Sequence, residues 1–181
     1  FGLQVKHVLG LSATPTRKDG LTHVLEWIVG PTACVVERRD SKCRVHIVRV
    51  EHDGRVPENK FGKADYVQFI NQLVEDTARN EILVRNINVL AERLVSSGRI
   101  LVLTHRREHA KVLARLISKT AVQTSSTTIT TAAQAYVGGM KSVPFARIVV
   151  STFSLCGEGF DLPALKALAL TTPTGEITQA L

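Results

Sequence analysis

Four stretches hold the side chains best suited to chemistry: SATPTRKDG (12–20), HRRE (105–108), GGMK (138–141) and FSLCGEGFDLP (153–163). Each combines glycine, hydroxyls or cations. Glycine lets backbone N–H groups approach a phosphate, and hydroxyls and cations bind its oxygens. A carboxylate such as Asp161 can accept hydrogen bonds from ribose hydroxyls. These residue types therefore suit the holding of phosphate and sugar. Each stretch also has a purely structural reading. Asp161 before Leu162 and Pro163 could cap a turn, Gly138 and Gly139 could shape one, and Arg106 and Arg107 could form a solvated helix face.

The elements that must position these residues are short apolar runs. VKHVLGLSA (5–13), ILVLT (100–104), AYV (135–137) and RIVVST (147–152) each immediately precede one of the four stretches, and ALALTT (167–172) is a fifth run. Continuous apolar strands alternating with helices predict an α/β fold with a parallel sheet covered on both faces. In such a sheet ligands bind outside the carboxyl ends of the strands, where the four stretches fall. Helices are predicted where apolar residues recur at helical spacing. These are 20–30 (Leu21, Val24, Leu25, Ile28), 64–76 (Val67, Ile70, Leu73, Val74), 80–98 (Leu83, Ile87, Leu90, Leu94) and 107–117. Asn80 is the expected cap of the third and Gly98 its stop. Residues 35–50 read as two β-rich pieces about an RDSK turn. Residues 51–63 read as an aperiodic crossing, and the Ser/Thr-rich 118–131 as a loop.

Composition narrows the class. With 181 residues, 44% of them hydrophobic and 22% charged, the chain suits one globular domain, or one plus part of another. A formal charge of +7 suits a polyanionic partner, although many soluble domains are mildly basic. The three cysteines form neither a CxxC pair nor an even disulfide framework, which favours a reducing, intracellular setting and argues against zinc. No apolar run reaches the roughly 18 residues of a spanning helix, so no membrane partner is expected. No metal-ligand cluster is expected in the chain itself.

Taken in order, GLSATPTRKDG, ILVLTHRREH, YVGGMK and STFSLCGEGFDLP resemble motifs III, IV, its following glycine element, and V of superfamily 2 helicases. The resemblance is nearest to the branch of XPB-type repair helicases and related enzymes of phages and large DNA viruses. It implies RecA-like lobes that clamp ATP and Mg2+ while a nucleic-acid strand, DNA favoured over RNA, lies across them. Residues 1–35 would be the tail of the first lobe, 36–62 a connector, and 63–181 a second RecA-like lobe with flanking helices, cut before motif VI is complete.

By the same resemblance, Ser12, Ala13 and Thr14 couple ATP state to the grip on nucleic acid, while Gly159, Asp161 and Gln179 serve the nucleotide. Arg17, Thr104, His105, Arg106, Gly138, Gly139, Lys141 and Thr152 would meet the strand. The chain has no GxxxxGK[ST] loop and no Asp-Glu box, so these would belong to the missing first RecA-like domain, and the segment alone is expected to be inactive. The expected function is that of part of an ATP-dependent helicase or translocase. The alternative is a non-catalytic, helicase-like binding or scaffold module. A doubly wound nucleotide-sugar enzyme would require a GxGxxG turn after the first strand, and none is present.

Overall fold

The computed structural model describes residues 6–12, 16, 19–36, 44–51, 54–94, 98–124, 133–157 and 160–174, with side chains placed outside 121–124. The chain divides into two compact units, Phe1–Ile47 and Val48–Leu181.

In the first unit, α1 (Thr22–Val29) ends where Gly30, at φ 97°, turns its N–H back to Glu26 O. None of its residues is buried, and Trp27 and Ile28 are 77% and 68% exposed. Two sequence expectations fail among the described residues. Neither 6–12 nor 44–50 forms a strand. Both runs are apolar enough, but strand geometry needs a hydrogen-bonding neighbour, and Leu9, Leu11 and Ile47 stay exposed.

The second unit contains α2 (Tyr66–Glu75), α3 (Thr77–Arg93), β1 (Arg99–Thr104), α4 (Arg107–Thr124), β2 (Ala133–Tyr136), β3 (Ile148–Thr152) and β4 (Leu165–Leu170). The strands form one all-parallel sheet in the order β2-β3-β1-β4, with Val102 opposite Val150 and Ala169. This is the α/β arrangement that the alternating runs predict, and it is consistent with the RecA-like fold that the resemblance implies. Central position explains composition: β1 and β3 are apolar along both faces and almost wholly buried, whereas the edge strands β2 and β4 are partly exposed.

Alternation along the strands makes two cores. Ile100, Val102, Ile148 and Val150 face α3 and α4, which contribute Val84, Ile87, Ala110, Leu113 and Ile117. Leu101, Leu103 and Val149 face the other way, covered by loop residues such as Val143, Phe153, Phe160 and Leu162. Burying a side chain such as Leu113 contributes about 2 kcal/mol.

Helix ends differ from the sequence reading in three places. Asp76, not Asn80, caps α3: it closes α2 and its carboxylate accepts Arg79 N at 2.9 Å. Asn80 lies inside the helix, buried. Helix α3 stops at Arg93, ahead of Gly98. Helix α4 runs on to Thr124, into the stretch read as a loop, and within it Thr120 Oγ1 donates back to Leu116 O at 2.9 Å.

Candidate functional site

All carboxyl ends of a parallel sheet point to one edge, so the residues after β1, β2, β3 and β4 meet there. The β1 connection leads towards β2 and the β3 connection towards β4. They leave in opposite directions along the sheet.

Thr104 ends β1 with no exposed surface. Its hydroxyl lies 2.7 Å from His109 Nδ1. His109 Nε2 lies 2.9 Å from Asn80 Oδ1, and Asn80 Nδ2 donates to Val74 O at 2.9 Å. Burial pushes the His109 pKa down from 6.5 to about 4, helped by the positive charge of Arg79. Arg79 donates to Leu73 O and to Thr171 O. Burial lowers its own pKa, against the opposing pull of Asp76.

His105 follows, exposed, with Nδ1 2.7 Å from Thr172 Oγ1 and its ring centroid 4.7 Å from that of Phe153. Burial lowers its pKa, and the neighbouring Arg106 lowers it further. Backbone bonds tie the three strand ends together. Phe153 N donates to Thr104 O at 3.1 Å, Thr171 N donates to Leu103 O at 2.9 Å, and Thr171 Oγ1 donates to the same carbonyl at 2.8 Å. Arg106 turns towards α2, where Nε donates to Asn71 Oδ1 at 2.8 Å and a terminal nitrogen to Val67 O at 3.3 Å.

After β2, Gly138 packs against Arg107 so closely that a Cβ there would lie 2.8 Å from its guanidinium. Gly139 adopts φ 99°, a conformation suited to glycine, and Lys141 is exposed. After β3, Thr152 is 4% exposed. Its hydroxyl lies 3.3 Å from Ser154 Oγ, and its carbonyl accepts Leu155 N and Cys156 N. Asp161 is exposed, within the connection whose Phe160 and Leu162 pack on the second face of the sheet.

The structure therefore gathers Thr104, His105, Gly138, Gly139, Lys141 and Thr152 at one edge and directs Arg106 towards α2. Thr104 and Thr152 reach that edge with buried side chains, so of these residues His105 and Lys141 are the ones whose side chains reach the surface there. Ser12 is exposed in the first unit. Ala13, Thr14, Arg17, Gly159 and Gln179 lie outside the described residues. Beside the start of α4 is a groove of about 780 Å³, lined by Asn71, Val74 and Glu75 of α2 and by Arg106, Arg107 and His109. Among the described residues no His, Cys, Asp or Glu cluster could hold a metal, and no helix is long and apolar enough to cross a membrane.

Sequence reasoning missed Asn80 as a partner, along with Arg79, His109, Thr171 and Thr172. One signal was readable. His109, Leu113 and Ile117 share the inward stripe of α4, so a polar ring stood on a buried face.

The chain is similar to a protein of Acanthamoeba polyphaga mimivirus provisionally named an ATP-dependent RNA helicase. Identity is 23% over 196 aligned residues, which cover 97% of this chain and 34% of that protein. The chain thus spans about a third of the length of the curated relative it matches. No family model matches the chain, and no solved structure matches it. The relationship is helicase-like.

Proposed function

We propose that this chain is the part of an ATP-dependent helicase or translocase that runs from motif III through motif V. Residues 1–35 close a first RecA-like lobe, 36–62 connect, and 63–181 form most of a second. The observation that carries the reading is the convergence of the motif-like loops HRRE, GGMK and the start of FSLCGEGFDLP at the carboxyl edge of one parallel sheet. Such an edge is where doubly wound folds bind phosphate-bearing ligands. The helicase-like relative supports the same class.

In this reading the strand's phosphates lie along the edge, against His105, Lys141 and the Gly138–Gly139 backbone. Thr152 holds the loop after β3 towards them, while Thr104 acts from behind His105. Ser12 with Ala13 and Thr14 couples the first lobe to nucleotide state, and Arg17 meets the strand. Gly159, Asp161 and Gln179 face ATP, and Asp161 accepts from the ribose hydroxyls. The phosphate cradle and the Mg2+ carboxylates come from the first lobe, because this chain has neither motif. DNA is the proposed track, on the likeness of SATPTRKDG and EGFDLP to the XPB-type branch.

The test is nucleic-acid-stimulated ATPase in the longer protein that contains this chain. Asp161→Ala should weaken ATP use, and Thr152→Ala should weaken the stimulation. Running matched DNA and RNA oligonucleotides in parallel decides the track. If neither substitution changes the activity, the site assignment fails. Salt-sensitive binding without any ATPase would point to the helicase-like binding module instead.

A further inference from the structure

Behind His105 runs a chain of buried hydrogen bonds whose direction can be worked out atom by atom. Val74 O is one of the last carbonyls of α2, which lack a partner inside their own helix, and it can only accept. Asn80 must therefore aim Nδ2 at it, at 2.9 Å, which turns Oδ1 towards His109. An amide oxygen also only accepts, so His109 Nε2 carries the hydrogen. The neutral ring then has a bare Nδ1, which takes the hydroxyl hydrogen of Thr104 at 2.7 Å. Proton donation runs one way, from Thr104 through His109 and Asn80 to Val74 O. Asn80, Thr104 and His109 are 4%, 0% and 3% exposed, so a lost partner leaves a buried polar group at a cost.

These bonds join α2, α3, α4 and β1 at the residue before His105. The carbonyl of the same Thr104 accepts Phe153 N, and the Phe153 ring packs against His105. Moving Thr104 therefore displaces the loops after both β1 and β3. We propose that Asn80 and His109 are positioning residues: through Thr104 they set where His105 and the loop after β3 present themselves to the phosphate backbone of a nucleic-acid strand. This deepens the proposed function and rests on it.

The charged groups around His109 are Arg79 on α3, Glu75 on α2, and Arg106, Arg107 and Glu108 at the start of α4; β1 presents none. Substituting Asn80→Asp would place a carboxylate against Nε2. That favours the doubly protonated ring, in which Nδ1–H would donate to Thr104 and reverse the relay.

The experiment has two arms on this chain. Nitrogen-15 NMR of the wild-type His109 ring should show a protonated Nε2 and a bare Nδ1 at pH 7; the opposite tautomer overturns the relay without any variant being made. Fluorescence anisotropy with a single-stranded oligonucleotide should show binding weakened roughly tenfold by Asn80→Leu. With Asn80→Asp, the loss of binding on acidification should begin at a higher pH than in wild type. Far-UV circular dichroism of the same samples, which reads the folded fraction at each pH, separates that shift from acid unfolding of a less stable variant. Absence of wild-type binding would overturn the proposed function and this inference with it. Wild-type binding that Asn80→Leu leaves intact, or an Asn80→Asp profile superimposable on wild type, would overturn this inference alone.

Discussion

The two ends of the sheet differ in which basic side chains they leave open. At the amino end, guanidinium donors terminate on backbone carbonyls. Arg99 bonds Ala146 O at 3.0 Å and Pro144 O at 2.7 Å, and Arg147 bonds Ala91 O at 2.6 Å and Leu94 O at 3.1 Å. At the carboxyl end, Arg79 and Arg106 also bond backbone carbonyls, those of Thr171 and Val67, but Lys141 is exposed and His105 keeps Nε2 clear of its bond to Thr172. Formal charge is thus a poor guide to a polyanion surface. A fork of five N–H donors serves equally well to staple a helix end to a strand, and only position decides which role it takes.

Four measurements sharpen or break this contrast. The largest effect is expected from the buried polar relay at the carboxyl end. His109 is held at about 4 in the folded chain against an ordinary 6.5, so the unfolded chain takes up its proton first as pH falls. Stability is full above pH 6.5, declines between 6.5 and about 4, and levels off below, with a total loss of up to about 3 kcal/mol from this group. Urea unfolding at pH 7 and pH 4 should show the drop, and His109→Gln should reduce it. An equal drop in the variant would assign the acid sensitivity elsewhere.

Next is Arg147→Leu at the amino end, which leaves Ala91 O and Leu94 O without their donor and should cost about 2 kcal/mol. Oligonucleotide affinity of the folded variant should stay at the wild-type level. Loss of affinity there would break the distinction between the two ends. Lys141→Ala should do the reverse, leaving the urea midpoint in place while weakening binding about fivefold, near 1 kcal/mol. The log–log salt slope should become shallower by about 0.7, the value of one phosphate contact on a single strand. The smallest effect is expected from Gly138→Ala. Its Cβ would meet only the flexible end of Arg107, so thermal denaturation should move by less than about 0.5 kcal/mol.

Much of the second unit was legible because its signals are local. The inward stripe of α4, with Ala110, Leu113, Ala114 and Ile117, has helical spacing, and ILVLT and RIVVST are continuous apolar runs of strand length. The same rule misread 6–12 and 44–50, where apolar, β-branched residues lack a neighbouring strand among the described residues. Asn80 shows the limit most plainly. It is a good cap residue by type, yet Asp76 takes that place and Asn80 turns inward to a ring 29 positions later.

In the second unit the amino-acid order alone determined most of which segments coil, which extend, and that HRRE, GGMK and FSLCGEGFDLP follow strands, because these depend on neighbours within a few residues. The strand order β2-β3-β1-β4, the division of arginines between stapling and open surface, and the path from Thr104 to Val74 were decided only in three dimensions. Each depends on groups brought together from distant parts of the chain, where burial removes water as the competing partner and leaves one arrangement that satisfies every donor and acceptor.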